Sequence, residues 1–421
     1  MTTVKVEQGK LKGACISDSE ISYVAFKGIQ YARPPLGTLR FKAPEPPQNW
    51  EGIRDATVHG PVCPQYNERL QRLEPGSEDC LYLNVFTKTL TPPQPLPVMA
   101  ICQSGVCLNE WSYNIYARER AFQLGKLLGL ETEDPEELST FLKKAPVSDL
   151  VNIKLPPIET KHRDLTDSIL FGPVVENEET DVEHFITKPP PELVKSGCFA
   201  KVPIILGFTS GEGMELGKHF PANLKFLLNT GAVVPRELKL KLTEQQLQNA
   251  DIEIRKYYFK EKPLTADMLQ EVVNLETDRL FVYNIIRFAR YHSYFTSFPV
   301  YVYKFAAETE RNYVKSFYEM NSISGSCHAD DLYYLFRVTC LNVPLPSNCR
   351  QIINNYVQMW YNFAATGNPT SSNINAVWKP FTESQRNLLI IDREIKCVSN
   401  IDNENMKFWD NLYNETDLKV Q

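Results

Sequence analysis

Four short apolar segments constrain the fold of this chain more than any other feature of its sequence. They are Val98-Met99-Ala100-Ile101-Cys102, Val202 to Phe208, Val300 to Phe305, and Leu388 to Asp392. The first is typical of a strand that is buried on both faces and the second of another buried strand, whereas the third alternates as strands do and the fourth predicts a last strand. Since helical periodicity fills the intervals between them, we predict an α/β fold with a mainly parallel sheet that helices cover on both faces.

The helical intervals have recognisable starts and stops. Asp134-Pro135-Glu136-Glu137 predicts the start of a helix, because the aspartate can cap the first turn and the proline fits within it. Residues 221 to 296 contain no strong strand signal, which indicates a long helical region. Gly367, which Asn368-Pro369 follows, is expected to end another helix.

Composition excludes several classes of protein. Apolar residues make up 43% and charged residues 23% of the 421 residues, a globular balance rather than that of a disordered chain. The 51 acidic residues outnumber the 45 basic ones and no block of Lys and Arg stands out, so we expect no nucleic-acid partner. The ten cysteines include no C-x-x-C pair, which argues against a zinc site and a disulfide scaffold.

The sequence carries no signal for export or membrane insertion. No apolar run approaches the ~18 residues that a membrane span requires, so we expect no membrane partner. Lys5 and Glu7 place charges where a secretory signal peptide would have its apolar stretch. We therefore expect no signal peptide and a cytoplasmic location.

A set of short motifs follows in order along nearly the whole chain. They are Phe26 to Ala32, Pro34 to Gly37 with Arg40-Phe41, Ser77 to Val85, Gln103-Ser104-Gly105, Phe171 to Glu176, Gly207 to Gly213, His328 to Leu332, and Thr366 to Pro369. Together they resemble the type-B carboxylesterase (cholinesterase-like) family, and the chain is most similar to the insect intracellular alpha-esterases. The resemblance implies the α/β-hydrolase fold, a single domain over residues 1–421, and small-molecule carboxylic esters as substrates, with no metal or cofactor.

Two residues match the catalytic motifs of that family, which uses a Ser–Glu–His triad. The resemblance implies that Glu212 is the acid and His328 the general base. A serine hydroxyl becomes a good nucleophile only when an imidazole takes its proton. A buried carboxylate then fixes the imidazole tautomer and stabilises the imidazolium.

The nucleophile itself has no counterpart in the sequence. Neither the G-x-S-x-G elbow nor the glycine-rich oxyanion loop occurs. In the family, one strand precedes the oxyanion loop, and it matches the segment that ends at Met99. Another strand follows the nucleophile helix, and it matches the segment that begins at Ala100. We therefore infer that roughly a hundred residues, two βα units with their connections, are missing at the Met99/Ala100 junction, through exon skipping or an incomplete gene model. The low count of 19 glycines agrees with the loss of a glycine-rich segment.

This loss leads us to expect a chain with little or no hydrolytic activity. Ser104, Cys107 and Ser210 lie near the expected site, but none follows the pattern of a nucleophile elbow. The central sheet should also be incomplete, with unpaired backbone groups that cost ~1–3 kcal/mol each where they are buried. The alternatives are a non-catalytic binding or adhesion-type protein on an esterase scaffold, or a protein that sequesters esters without turnover.

The resemblance also implies structural pairs. Cys63 and Cys80 match a family disulfide, whose formation in a reducing cytosol is left open. Arg40 and Glu78 match a structural ion pair. Asp330 and Asp331, beside His328, match structural and helix-capping positions rather than metal ligands.

Overall fold

The computed structural model describes most of the chain. The described residues are 2–17, 22–67, 72–91, 99–152, 155–156, 171–178, 184–217, 220–260, 262–336, 343–370, 374, 376–400 and 404–414, with the backbone alone at 217 and 220–223. Their contacts group them into two compact units. The first lies within Met1–Pro97, Ile115–Pro157 and Asn177–Phe185, and the second within Val98–Asn114, Ile158–Glu176 and Ile186–Gln421.

The first unit combines α-helices with small sheets whose described strand pairs are antiparallel except for the parallel pair β2–β5. Its strands are β1 (Thr3–Val6), β2 (Gly9–Lys12), β3 (Ala14–Ser17), β4 (Ser22–Gln30), β5 (Ile53–Asp55), β6 (Gln65–Asn67), β7 (Arg72–Glu74) and β8 (Tyr82–Thr87). They pair in the orders β1-β2-β5, β3-β4-β8 and β6-β7. The helices are α1 (Ala117–Leu127), α2 (Pro135–Lys144) and α3 (Val147–Val151). As predicted, Asp134 caps α2, because its carboxylate accepts a hydrogen bond of 2.9 Å from the Glu136 amide.

Strand β8 is an apolar strand at a sheet edge. It pairs with β4, and no other strand in the described part of the chain pairs with it. Leu83 and Val85 on one face are 40% and 43% exposed, and Phe86 on the other face is 55% exposed. The face of Leu83 and Val85 is thus apolar and exposed, whereas the face of Phe86 also carries the polar Asn84.

The second unit contains the parallel sheet that the apolar segments predict. Its strands are β9 (Ala100–Gln103), β10 (Ile204–Thr209), β11 (Val300–Phe305), β12 (Leu388–Ile391) and β13 (Lys396–Val398), in the order β13-β12-β11-β10-β9. All neighbours are parallel except the antiparallel pair β12–β13. Of the first predicted strand, Val98 lies outside the described residues and the observed strand begins at Ala100.

Helices flank this sheet. They are α4 (Pro190–Lys195), α5 (Met214–Gly217), α6 (Phe220–Leu227), α7 (Arg236–Lys239), α8 (Glu244–Phe259), α9 (Leu269–Thr277), α10 (Tyr283–Phe295), α11 (Tyr313–Phe317), α12 (Leu332–Leu335), α13 (Arg350–Thr366) and α14 (Glu404–Asn414). A π-helical turn, Asp278–Val282, joins α9 to α10. Gly367 adopts φ 76° and ends α13, as expected. Each helix in the described ranges is too short or too polar to cross a membrane.

The two faces of the sheet bury different cores because strand side chains alternate. Alternate residues of β10 and β11, from Ile204 to Val302, pack with α8, α10 and α14. The residues between them, such as Tyr301 and Phe305, pack against Tyr356 and Phe363 of α13. The sheet is therefore covered on both faces, as predicted.

Strand β9 forms the other edge of this sheet. Among the strands that can be described it pairs with β10 alone, and Ile101 is 37% exposed. A parallel strand whose second edge has no neighbour leaves backbone donors and acceptors unpaired.

Candidate active site: a buried glutamate and a histidine

Glu212 lies in the turn after the fully buried strand β10. Its side chain is 0% exposed, and its Oε1 atom accepts a hydrogen bond of 2.6 Å from the Thr209 amide. The next amide, that of Gly213, donates to Thr277 Oγ1 at 3.0 Å. These bonds hold the turn against α9 and fix the position of the carboxylate.

A second loop lies beside this turn and carries His328. The Gly211 amide donates to the Ser326 carbonyl at 2.9 Å, and the Ser326 amide donates to Ser210 Oγ at 2.9 Å. A parallel bridge between Gly211 and Cys327 extends this pairing. The two loops are thus joined by backbone hydrogen bonds, although more than a hundred residues separate them in the sequence.

The pairing brings the two residues singled out by the sequence into contact. His328 Nδ1 lies 2.6 Å from Glu212 Oε2, and the imidazole side chain is 29% exposed. Burial disfavours the charged ring, but the Glu212 carboxylate, with smaller contributions from Glu215 and Asp331, raises the pKa of His328 to about 9. The imidazole is therefore protonated at neutral pH, and Nδ1–H donates to Glu212.

Glu215 was not singled out by the sequence, yet it faces the other nitrogen of the ring. Its Oε2 atom lies 3.8 Å from His328 Nε2, and its side chain is 43% exposed. It follows Glu212 by three residues, at the start of α5. An acidic residue in a polar turn carries no motif of its own, and only the 3-residue spacing from Glu212 could have drawn attention to it.

Asp330 has the structural role that the resemblance implies. Its Oδ1 atom accepts a hydrogen bond of 2.9 Å from the Val314 amide and one of 3.3 Å from the Lys315 amide, in the first turn of α11. Its Oδ2 atom accepts from the Cys327 amide at 2.9 Å and so holds the residue before His328. Asp330 thus caps one helix and fixes the histidine loop.

Asp331 is structural but caps no helix, which corrects one part of the expectation. No side-chain cap is present at the start of α12. Instead its Oδ2 atom accepts hydrogen bonds from Tyr303 OH (2.8 Å), Gln103 Nε2 (3.0 Å) and Tyr356 OH (3.1 Å). Gly207 makes this arrangement possible, because a Cβ atom there would lie 1.7 Å from the Tyr303 ring.

Aromatic rings and the π-helical turn form one wall beside the histidine. The Phe281 ring lies 5.3 Å from the His328 ring, and the Trp111 ring lies 5.8 Å from Phe281. The buried Asn109 side chain donates to the Leu280 carbonyl at 2.5 Å, a carbonyl of the π turn. Such turns break the regular helical hydrogen-bond ladder and often occur at functional sites.

The three nucleophile candidates from the sequence have environments that do not suit the role. No serine or cysteine that the structure describes forms a hydrogen bond with His328. Ser104 is buried at φ 58° and its Oγ has no hydrogen-bond partner. Cys107 is exposed, and Ser210 Oγ accepts from the Ser326 amide.

The two structural pairs implied by the resemblance are present in the first unit. Cys63 and Cys80 form a disulfide. Arg40 Nε donates to Glu78 Oε1 at 2.7 Å, and Arg40 Nη1 donates to the Ala145 carbonyl at 2.7 Å. No group of His, Cys, Asp and Glu side chains in the described ranges has the arrangement of a metal site.

Comparison with known proteins identifies the family. The model described as the carboxylesterase family matches residues 1–101 and residues 99–409. This chain belongs to the carboxylesterase family. Its members are carboxylic ester hydrolases, so esters are the substrates that homology implies. The two matched stretches overlap at residues 99–101.

Individual relatives are similar along their full length. The chain is 23% identical to a carboxylic ester hydrolase of Bombus ignitus, with 99% of this chain and 95% of that protein covered. It is 23% identical to esterase B1 of Culex pipiens, with 99% of each covered, and 24% identical to the para-nitrobenzyl esterase of Bacillus subtilis, with 95% and 97% covered. The Bombus alignment spans 555 positions and this chain has 421 residues, so at least 134 aligned positions have no residue of this chain.

A solved structure confirms the fold class. The juvenile hormone esterase of Manduca sexta, determined with OTFP covalently attached, superimposes with a TM-score of 0.77 at 20% identity, covering 98% of this chain and 99% of that one. The predicted α/β-hydrolase fold is therefore confirmed.

Proposed function

We propose that this chain is a carboxylesterase-family protein that keeps the acid and the histidine of a Ser–Glu–His triad but has lost the nucleophile, so that it hydrolyses carboxylic esters weakly or not at all. The observation that carries the proposal is the surroundings of His328. One ring nitrogen contacts Glu212 at 2.6 Å and the other lies 3.8 Å from Glu215, and neither contacts a hydroxyl or thiol among the described side chains.

The chemistry of ester hydrolysis explains why this arrangement is insufficient. A general base must have a free nitrogen and a pKa near the working pH. His328 faces the carboxylates of Glu212 and Glu215 and no described hydroxyl or thiol whose proton it could take. Without a serine no acyl-enzyme forms, and the loss of even one oxyanion donor costs ~10²–10³ in rate.

Four observations support the loss of a segment, and three of them concern the Met99/Ala100 junction. The two stretches that match the family meet there, and the Bombus alignment needs at least 134 positions that the chain lacks. Strand β8, before the junction, exposes the apolar side chains of Leu83, Val85 and Phe86. Strand β9, after it, has no described neighbour on one edge. We propose that residues 1–421 form one internally truncated hydrolase domain.

A fluorophosphonate probe tests the proposal, because such probes form a covalent bond with an activated serine. We expect no mass increase of the purified chain by intact-protein mass spectrometry at neutral pH, under conditions that label an active carboxylesterase completely. Stoichiometric labelling at one serine, abolished by His328→Ala, would contradict the loss of the nucleophile.

Ester binding without turnover is the second candidate function. The observation that favours it is the partly buried Trp111 ring, which packs on the buried Phe281 beside His328 and offers apolar surface to an acyl group. Equilibrium dialysis with a naphthyl ester tests it. Saturable binding that Phe281→Ala weakens supports the proposal, whereas a linear, non-saturating uptake excludes it.

A further inference from the structure

A second site lies in the second unit, apart from Glu212 and His328. A cavity of about 750 Å³ opens at the carboxyl ends of β10, β11 and β12, on the sheet face opposite α13. Its volume is within the ~300–1,000 Å³ range of small-molecule sites. Ligands of open α/β sheets bind outside the carboxyl ends of the strands, which is where this cavity lies.

The strand residues that line the cavity include the apolar Phe208, Leu388 and Ile390, the polar Thr209 and Ser210, and one charged residue, Lys304. Lys304 lies between Phe208 of β10 and Ile390 of β12, its partners in the strand register. It follows Val300 and Val302 on the same face of β11, and both valines are buried. A half-buried ammonium on such a face is costly unless an anion or water compensates it.

No carboxylate lies within ion-pair distance of Lys304 in the described part of the chain. The nearby Asp278 carboxylate is held by neutral donors, because its Oδ2 atom accepts from Tyr258 OH at 2.8 Å and from Asn405 Nδ2 at 2.7 Å. Burial raises the pKa of Asp278 to about 6, and attraction to Lys304 opposes this rise. Lys304 therefore forms no direct ion pair with Asp278, although the Asp278 charge still acts on it.

Part of the cavity wall is hydrocarbon and aromatic, and the rest is polar, with Asn274, Asn400 and Arg386 among its side chains. The hydrocarbon and aromatic side chains are Val282, Ile286, Leu388, Val398, Met406 and Tyr257. They surround the space above Lys304 and would contact the body of a ligand whose head reaches the ammonium. We propose that this cavity is a second ligand site, which binds a monoanion with a hydrocarbon body, such as a medium-chain carboxylate.

Binding measurements on the full chain test this proposal. Isothermal titration with decanoate should give a 1:1 complex, with decanol and decyltrimethylammonium binding at least tenfold more weakly. Lys304→Met removes the charge and keeps the apolar stem, so we expect about a tenfold or greater loss of decanoate affinity. Lys304→Arg should keep most of the affinity, and Lys201→Met, at an exposed lysine, should leave it unchanged.

The pH dependence of the unmodified protein provides a second test that does not rely on a variant folding. Decanesulfonate stays anionic over the range, so its affinity reports the charge of the cavity. Above pH 6 the Asp278 carboxylate competes for Lys304, so binding should tighten severalfold as the pH falls from 7.5 to 5.5. The charged groups that line the cavity are Lys260, Asp278, Lys304, Arg386 and Glu404.

Three results would overturn the proposal. One is decanol binding as tightly as decanoate, which would make the cavity a purely apolar pocket. The second is unchanged decanoate affinity in folded Lys304→Met. The third is decanesulfonate affinity that does not change between pH 7.5 and 5.5.

Discussion

The charge of His328 offers a quantitative test of the candidate site. A pKa of about 9 against the ordinary 6.5 means that the folded protein favours the charged ring by roughly 3 kcal/mol, at 1.36 kcal/mol for each pH unit. This contribution to the free energy of unfolding is fully present below pH 6.5 and is lost as the pH rises through 9. We therefore expect the protein to be more stable at pH 6.5 than at pH 9.5 by an amount that depends on this ring.

Two glutamate variants separate the causes of this shift. Glu212→Gln removes the carboxylate at 2.6 Å, so burial should then dominate and bring the pKa of His328 to 6.5 or below. Glu215→Gln should lower it less, because this carboxylate is 3.8 Å away and 43% exposed, and solvent screens its charge. Glu253→Gln, on the exposed side of α8, is a matched control that should change nothing.

The assay is an NMR titration of the six histidine rings, with the His328 signal assigned by its loss in His328→Ala. In the unmodified protein this ring should titrate near pH 9. Urea unfolding at pH 6.5 and 9.5 supplies the stability difference, which should shrink in Glu212→Gln. A His328 ring that titrates near pH 6.5 in the unmodified protein would refute the reasoning.

Three further predictions concern stability and are measured by urea unfolding. Reduction of the Cys63–Cys80 disulfide, which spans 17 residues, should lower the free energy of unfolding by about 3 kcal/mol, and an unchanged midpoint in dithiothreitol would contradict this. Arg40→Met leaves the Ala145 carbonyl and the Glu78 carboxylate without this partner and should cost about 2 kcal/mol, whereas a neutral effect would mean that the pair is dispensable. Asn109→Leu removes the donor to a π-turn carbonyl and should cost a similar amount, unless water replaces it.

The sheet was predictable from the sequence because its strands are buried on both faces. The segments 202–208 and 300–305 are largely apolar in their own sequence. Their composition and alternation therefore predict strands without any knowledge of the segments with which they pair. Helix α2 was equally predictable, since Asp134 caps it through a local hydrogen bond. The order of the strands in the sheet, with β9 at one edge, depends on pairing between segments that are distant in the sequence. It therefore could not be predicted from the local sequence pattern.

The candidate site was predictable only in part. Glu212 and His328 were found through motifs, because no local pattern links two residues so far apart in the sequence. Glu215 was missed because its role arises from the position of the His328 ring and not from its own neighbours. The sequence does show Lys304 as the charged residue of an otherwise apolar strand. Its proposed role in binding a ligand could be inferred only from the cavity that it lines.

The most direct test of the central claim is the initial rate at which the purified chain hydrolyses a short-chain naphthyl ester, measured beside His328→Ala. The account predicts that the two rates are equal and close to the uncatalysed background. A rate far above background that disappears in His328→Ala would contradict it, because a nucleophile would then be working with His328.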